Sequence, residues 1–197
     1  TGLSVASCNT YLNEMETSGE VIGEKQKLHD VGRNAVIYKL NENFESILCI
    51  HFELIRGIKS ITTSVLSPIG NLLYQQICEH HLLDAAVIEQ TVTEALVYYP
   101  NVCQIMVGVP SIAENGVIRH SDIGELEDVP LKSKLEEKFR LPVFVSNDMH
   151  YKVYGYYRQK QISDKIVTLV NYPSGVLPGT ATVHKGILLT GKNLFAG

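Results

Sequence analysis

The segment Leu141–Gly155 constrains the fold of this chain more than any other. It begins with an uninterrupted apolar run, Leu141–Val145, which predicts a buried strand. Polar residues 146–148 follow directly, and Met149–Gln161 predicts a helix. Polar groups between a buried strand and a helix lie at the carboxyl end of that strand, where α/β sheets bind their ligands. The segment therefore predicts an α/β sheet with the carboxylate of Asp148 at its ligand-binding edge.

The elements predicted around this segment have a recognisable order. Upstream come three strands, a helix capped by Asp84, a strongly apolar strand, a long loop and a charged amphipathic helix: Ser46–Leu54, Ile58–Leu66, Leu72–Glu79, Asp84–Tyr99, Val102–Val109, Pro110–Pro130 and Leu131–Phe139. Downstream come three more strands, Lys165–Asn171, Gly179–Lys185 and Ile187–Leu189. This order predicts one lobe of an actin-like (ribonuclease H-like) sugar-kinase fold.

A smaller unit precedes this lobe. Ser4 predicts the start of a helix that ends before Gly19, with an apolar face made by Val5, Cys8, Leu12 and Met15. Two short strands follow, Val21–Lys27 and Ala35–Leu40, joined by a turn over residues 28–34. A helix followed by a hairpin is the back half of a winged helix. We expect three units: 1–44, a partial winged helix-turn-helix; 45–164, the first lobe; and 165–197, the start of a second lobe.

Charge and cysteine content restrict the function. The formal net charge is −4, and residues 1–44 hold four basic and six acidic side chains. Neither the net charge of the chain nor that of residues 1–44 favours DNA binding, because DNA binding depends on basic side chains that neutralise phosphates. The four cysteines are far apart and form no CxxC pair, so we expect reduced thiols and no metal site. With no visible signal peptide or membrane span, a cytoplasmic protein is expected. The termini, Thr1 and Gly197, suggest a piece of a longer protein.

Several motifs occur in a diagnostic order. At the N-terminus stand the residues TGLS, then TYLNEM and SG, and then a GR pair followed by VIYKLN: Thr1–Ser4, Thr10–Met15, Ser18–Gly19, Gly32–Arg33 and Val36–Asn41. In the middle stand VGVP, GVI, VPL and PVFVSND, followed by regularly placed glycines: Val107–Pro110, Gly116–Ile118, Val129–Leu131, Pro142–Asp148, Gly175, Gly179, Gly186 and Gly191. This pattern resembles the ROK family of repressors and sugar kinases, and most of all its regulator branch, which includes repressors of xylose and N-acetylglucosamine genes.

The resemblance implies partners and site residues. The N-terminal helix would enter the major groove of operator DNA, with Ser4, Ser7 and Asn9 facing the bases and Arg33 of the wing in the minor groove. A carbohydrate effector would bind in the lobe, and the protein would be a homodimer or a higher homo-oligomer. The residues that resemble the family's sugar-binding positions are Gly108, Pro110, Asn147 and Asp148.

The chain departs from the kinases of that family where they hold ATP. Their DxGGT motif is replaced by Phe52–Lys59, which has no Asp, one Gly and three bulky aliphatic residues, Leu54, Ile55 and Ile58. Such side chains keep backbone away from phosphate. The second glycine-rich loop, Tyr172–Gly179, contains Pro173 and Pro178, which lack amide donors. We therefore expect no nucleotide cofactor, and we expect the family's zinc cluster to lie outside this chain.

Three functions remain open from the sequence. The first is a sugar-responsive repressor whose kinase-like lobe no longer catalyses. The second is an ATP-dependent sugar kinase with Asp148 as general base. The third is a degenerate fragment with only an interaction role. A structural alternative also stands, in which Asn147 or Asp148 caps the following helix.

The remaining polar and aromatic side chains predict little chemistry. The seven histidines, which show no metal spacing, are interpreted as surface or packing residues: His29, His51, His80, His81, His120, His150 and His184. Four tyrosines in the helix after Asp148 predict a dimer or interlobe contact: Tyr151, Tyr154, Tyr156 and Tyr157.

Overall fold

The computed structural model describes residues 2–26, 35–172 and 178–191. The N-terminal unit consists of helix α1 (Val5–Ser18) and an antiparallel hairpin of β1 (Val21–Gln26) and β2 (Ala35–Leu40). The Ser4 hydroxyl caps α1 by accepting a hydrogen bond from the Ser7 amide, and Gly19 ends it in the left-handed conformation at φ 88°. The predicted helix and strands are thus confirmed. The predicted turn with Arg33 lies outside the described residues.

The structure confirms only part of the apolar face predicted for α1. Cys8, Leu12 and Met15 are half-buried, but Val5 is 78% exposed and no residue of α1 is fully buried. The helix sits closely on β1 instead through Gly23, where an added Cβ would lie 2.6 Å from the Glu16 carboxylate. One helix and one hairpin do not make a complete winged helix-turn-helix, so that domain stays a prediction.

The main body is a five-stranded mixed sheet. Its strands are β3 (Ser46–Ile55), β4 (Ile58–Leu66), β5 (Leu72–His80), β6 (Val102–Val109) and β9 (Val143–Asn147), in the order β5-β4-β3-β6-β9. Strands β3, β6 and β9 are parallel, and β4 and β5 are antiparallel to their neighbours. The strand β9 begins and ends two residues later than predicted. Consequently Ser146 and Asn147 belong to the strand, and Asp148 is the first residue of the helix.

Two helices cover one face of this sheet. They are α2 (Ala85–Tyr98), capped by Asp84, and α3 (Leu131–Phe139). In β3 the buried side chains alternate with half-buried ones, as expected of a strand with one covered face. The resulting core includes Leu48, Ile50, Phe52, Ile88, Val92, Ile105, Leu131 and Leu135. Each large apolar side chain buried here contributes about 1.5–3 kcal/mol of stability.

The segment predicted as the loop Pro110–Pro130 is ordered, so that prediction is wrong. It forms a hairpin of β7 (Ile112–Glu114) and β8 (Val117–Arg119) and a short 3₁₀ helix, Gly124–Leu126. Ile118, Ile123 and Leu126 anchor it because all three are fully buried in the core. Its turn has Asn115 at φ 51° and Gly116 at φ 81°, the geometry for which Asn-Gly pairs are favoured.

A second small sheet follows helix α4 (Asp148–Gln159). Its antiparallel strands are β10 (Ile166–Asn171), β11 (Gly179–His184) and β12 (Ile187–Leu189). α4 packs on this sheet by burying Met149, Val153 and Tyr157 against Ala181 and Val183. Of the four tyrosines in α4, Tyr157 therefore serves a contact within the chain.

Candidate functional site

One residue from each of three parallel strands forms a row that lies near the carboxyl ends of β6 and β9 and crosses the middle of β3. His51 of β3 pairs with Gly108 of β6, and Gly108 pairs with Ser146 of β9. Paired residues in neighbouring strands present their side chains on the same face of the sheet. Asp148, at the start of α4, lies over this row. The ligand-binding edge predicted from the strand-end rule thus contains the predicted residues Gly108 and Asp148.

Gly108 leaves narrow space beneath the carboxylate. A Cβ at this position would lie 3.5 Å from both Cα and Cβ of Asp148 and 3.6 Å from Cδ2 of His51. These are ordinary van der Waals distances, so an alanine methyl would just touch both residues. Gly108 therefore borders the site, and its backbone lies directly below the Asp148–His51 pair.

The Asp148 carboxylate is held by two basic side chains. Its Oδ2 accepts a hydrogen bond from Lys152 Nζ at 2.7 Å, and His51 Nε2 lies 3.2 Å from the same oxygen. Asp148 is only 8% exposed. Burial raises the pKa of this carboxyl, but the hydrogen bonds from His51 and Lys152 and the charge of Lys152 outweigh it and bring the pKa below its usual value. The site therefore holds an ionised carboxylate.

Asn147 has a structural task, which confirms the capping alternative for this residue. Its Oδ1 accepts a hydrogen bond from the Met149 amide at 2.9 Å and caps α4. Its Nδ2 donates to the Ser111 carbonyl at 3.0 Å, which ties β9 to the chain just after Pro110. Asn147 thus uses its Oδ1 and one N–H of its Nδ2 in hydrogen bonds within the fold, and the second N–H of Nδ2 remains available to a ligand. Pro110 is half-buried beside Ser111 at the end of β6.

Three residues of this site were not predicted from the sequence, namely His51, Lys152 and His150. The interpretation of His51 as a surface or packing histidine is wrong, because its ring contacts the Asp148 carboxylate and its Nδ1 lies 4.0 Å from Glu53 Oε1. Lys152 lies four residues after Asp148 on a helix, and this spacing is a sequence signal for a contact between the two side chains. His51 offered no such signal, because it is 97 residues from Asp148 in the chain.

His150 extends the site on α4. Its Nδ1 lies 3.3 Å from the Ser146 hydroxyl. Burial lowers the pKa of His150 below its usual value, although the nearby Asp148 charge acts in the opposite direction. The imidazole is thereby favoured in its neutral form, with one donor and one acceptor nitrogen. His150, which the sequence pattern assigned to the surface or to packing, thus belongs to a polar cluster with Ser146.

The predicted DNA contacts lie on a different part of the chain. Ser4, Ser7 and Asn9 occupy the first two turns of α1 and its cap. The Ser4 and Ser7 hydroxyls are 3.0 Å apart and hydrogen-bond to each other, while Asn9 is exposed. Their role in DNA recognition stays a prediction.

Within residues 2–26, 35–172 and 178–191, no three His, Cys, Asp or Glu side chains gather closely enough to hold a metal ion. In the same ranges, no helix has both the length and the apolar character needed to cross a membrane.

Comparison with curated proteins finds two repressors. A xylose repressor of Caldicellulosiruptor bescii is 23% identical over 208 residues, which take in 99% of this chain and 50% of the relative. A putative xylose repressor of Caldicellulosiruptor sp. (strain Rt8B.4) is 24% identical over 78% of this chain and 40% of its own length. The chain therefore spans about half the length of the curated relatives it matches.

Comparison with solved structures finds proteins that share the fold of this chain. A ROK family transcriptional regulator, a homologue of the E. coli MLC protein, superposes with a TM-score of 0.70 at 17% identity, over 99% of this chain and 51% of that structure. A putative N-acetylmannosamine kinase from Listeria monocytogenes has a TM-score of 0.66 at 21% identity, over 77% of this chain and 52% of its own. A glucokinase from Streptomyces griseus, solved with glucose and AMPPNP, has a TM-score of 0.63 at 20% identity, over 77% of this chain and 48% of its own.

These likenesses confirm the predicted α/β, sugar-kinase-like lobe. The ROK family model matches residues 70–197, from the turn before β5 to the last residue of the sequence, independently of these structures. Since this is well over half of the 197 residues, the chain belongs to the ROK family.

Proposed function

We propose that this chain is part of a transcriptional regulator that binds operator DNA through its N-terminal unit and a carbohydrate at Asp148, without transferring phosphate. The observation that carries the proposal is the extent of the structural matches. The regulator covers 99% of this chain, whereas the two kinases cover 77% each. The part that the kinases leave unmatched is about the size of residues 1–44. An N-terminal unit of this kind has a use in a DNA-binding protein and none in phosphoryl transfer.

The exposed N-terminal half of α1 supports DNA contact. Ser4 and Asn9 are exposed, and the helix N-terminus adds amide groups and a partial positive charge suited to phosphate. Residues 1–44 hold only four basic side chains, Lys25, Lys27, Arg33 and Lys39. Lys39 is further engaged with Glu24 at 2.7 Å. Each unit would therefore neutralise at most about four phosphates, which gives a log–log salt slope of about −4 or shallower.

The arrangement of the Asp148 carboxylate supports sugar recognition. Among the described residues, its hydrogen-bond partners are Lys152 and His51, and both contact Oδ2. Oδ1 is therefore left to accept a hydrogen bond from a ligand hydroxyl. A hydrogen bond to an ionised group contributes about 1.5–3 kcal/mol. The free N–H of Asn147 and the neutral His150 offer further polar partners at the same edge.

The same contacts argue against phosphoryl transfer. A general base works best when its pKa lies near the operating pH, but the pKa of Asp148 is lowered by His51 and Lys152 despite its burial. The hairpin that replaces the phosphate-binding motif closes in a tight turn at Arg56-Gly57, with φ of 52° and 79°. Leu54, before this turn, packs against the core. Lys59, on β4 after the turn, forms an ion pair with Glu125. Most of the second predicted loop, Pro173–Leu177, lies outside the described residues.

DNA binding by this chain tests the regulator proposal. Duplexes selected by the chain from a randomised library would be titrated by fluorescence anisotropy at about 50 and 200 mM salt. We expect salt-sensitive binding that Asn9→Ala weakens and that Asn171→Ala, an exposed substitution in the second sheet, does not. Addition of the effector sugar is expected to change the affinity. No salt-sensitive binding, or an equal loss in both variants, would count against the proposal.

A sugar kinase is the second candidate, favoured by the place of Asp148 at the end of β9 and by the fold shared with kinases. It predicts ADP formation from ATP with one of three sugars suggested by the names of the similar proteins: xylose, N-acetylmannosamine or glucose. Activity abolished by Asp148→Asn would establish the kinase. Absence of sugar-dependent ADP would remove it and leave the regulator.

A further inference from the structure

A narrow groove runs between strand β5 and helix α2 on the covered face of the main sheet. Its volume is about 150 Å³. Alternate residues of β5 from Tyr74 to His80 form one wall, and a stripe of α2 from Val87 to Tyr98 forms the other. At about 3.3 Å per residue, the strand from Tyr74 to His80 extends over about 20 Å. So small a volume over such a length favours an unbranched chain as ligand over a ring.

The end of the groove near Tyr74 is aromatic and acidic. Tyr74 and Tyr99 form a tilted pair with ring centroids 5.7 Å apart. Burial raises the pKa of the Tyr74 phenol, and four neighbouring acidic groups raise it further: Cys78, Tyr99, Tyr98 and Glu94. The surroundings of Tyr74 therefore disfavour a negative charge and favour a positive one. The faces of tyrosine rings attract ammonium groups in the same way.

Glu94 gives this end of the groove its charge. Its Oε1 accepts a hydrogen bond from Gln90 Nε2 at 2.8 Å, which leaves Oε2 to a ligand. Among the described residues, no lysine or arginine lines the groove. The lysines of two neighbouring elements, Lys59 of β4 and Lys138 of α3, are engaged with other acids. A cationic ligand would thus meet a carboxylate that no basic side chain of the described ranges neutralises.

The rest of the groove combines an apolar floor with a polar far end. The floor includes Ile61 and Ala95, which are both buried, and Val87. The far end is lined by His80, whose Nε2 is buried and has no hydrogen-bond partner among the described residues. Buried polar atoms are nearly always hydrogen-bonded, so this nitrogen is suited to a polar group of a ligand.

We propose that the groove between β5 and α2 binds a linear aliphatic polyamine. A terminal ammonium would lie against the tyrosine rings and donate to the Glu94 carboxylate. The methylene segments would cover the apolar floor, as the stems of lysine side chains cover apolar surface. An N–H at the other end would donate to Nε2 of His80. This site is distant from Asp148, because β5 and β9 are the opposite edges of the main sheet.

Calorimetric titration of spermine into the chain, without DNA or sugar, tests the proposal independently of the proposed function. Binding in the micromolar range is expected. Glu94→Gln removes the charge at the aromatic end and is expected to raise the dissociation constant about tenfold or more. Glu79→Gln is the matched control, because Glu79 is exposed on the opposite face of β5 and its substitution makes the same change in net charge. It is expected to leave the dissociation constant unchanged.

A pair of histidine variants tests the far end of the groove. His80→Ala is expected to weaken spermine binding about threefold or more, because it removes the unpartnered nitrogen. His81→Ala, at an exposed neighbour outside the groove, is expected to have no effect. Circular dichroism would check that each variant folds. Absence of spermine binding below about 1 mM, or an equal response within either pair of variants, would overturn the proposal.

Discussion

The contact between Lys152 and Asp148 makes a measurable prediction about stability. Lys152→Met keeps most of the side chain's apolar stem but removes the ammonium that lies 2.7 Å from Oδ2. Breaking a buried ion pair from one side costs about 3–5 kcal/mol. The cost here is smaller, because the Lys152 side chain is 35% exposed and His51 still contacts the carboxylate. We expect the free energy of unfolding to fall by about 1–2 kcal/mol, measured by urea denaturation at pH 7.

The pH dependence of that difference identifies its origin. The pKa of Asp148 is lowered in the folded parent, so this carboxylate stabilises the fold above its unfolded pKa, and the contribution is lost as pH falls through the lower folded pKa. In Lys152→Met the burial of Asp148 still raises the pKa of this carboxyl, but of the two basic side chains only His51 remains to lower it. The pKa of Asp148 is therefore higher in the folded variant than in the folded parent. The difference between parent and variant should therefore be full at pH 7, shrink as pH falls through the higher pKa of Asp148 in the variant, and be lost below its lowered pKa in the parent.

Lys132→Met is the matched control for this experiment. Lys132 is also a helical lysine with an acidic partner four residues away, but its Nζ lies 3.9 Å from Glu136 and both side chains are more exposed. Such surface pairs contribute about 0.5 kcal/mol or less. Equal destabilisation by both substitutions, or a difference that does not depend on pH, would refute the view that Lys152 holds the Asp148 carboxylate.

Two further predictions concern the surroundings of the site. Asn147→Ala removes the cap of α4 and the hydrogen bond to Ser111, and should lower the free energy of unfolding by about 1–2 kcal/mol in urea; an unchanged midpoint would contradict this role. Ile118→Ala opens a cavity under the β7–β8 hairpin and should cost about 2–5 kcal/mol, whereas a loop residue would cost little. Thermal denaturation of the same two variants should rank them in the same order.

The main sheet was predictable because its strands carry local patterns. The bounds of β4 and β6 agree with the prediction, since both are apolar or alternating runs between clear turn residues. The hairpin at 110–130 was missed because its buried residues, Ile118, Ile123 and Leu126, do not follow a strand or helix period. The pair Asn115-Gly116 was a usable turn signal within that segment.

The candidate site was predictable only in its local part. Asp148 follows from the strand-end rule, and Lys152 could have been found from its helical spacing to Asp148. The contribution of His51 depends on the register between three strands that are distant in sequence. No local pattern encodes that register, so the pairing of His51 with Asp148 required the structure.

Calorimetric titration of the three candidate sugars tests the central claim most directly. If Asp148 recognises a hydroxyl through its free oxygen, Asp148→Asn should weaken binding about 10- to 100-fold, which corresponds to the loss of a hydrogen bond to an ionised group. Asp164→Asn, at an exposed acid that contacts only Ser163 among the described residues, should leave the affinity unchanged. Equal affinity for parent and Asp148→Asn would contradict the claim.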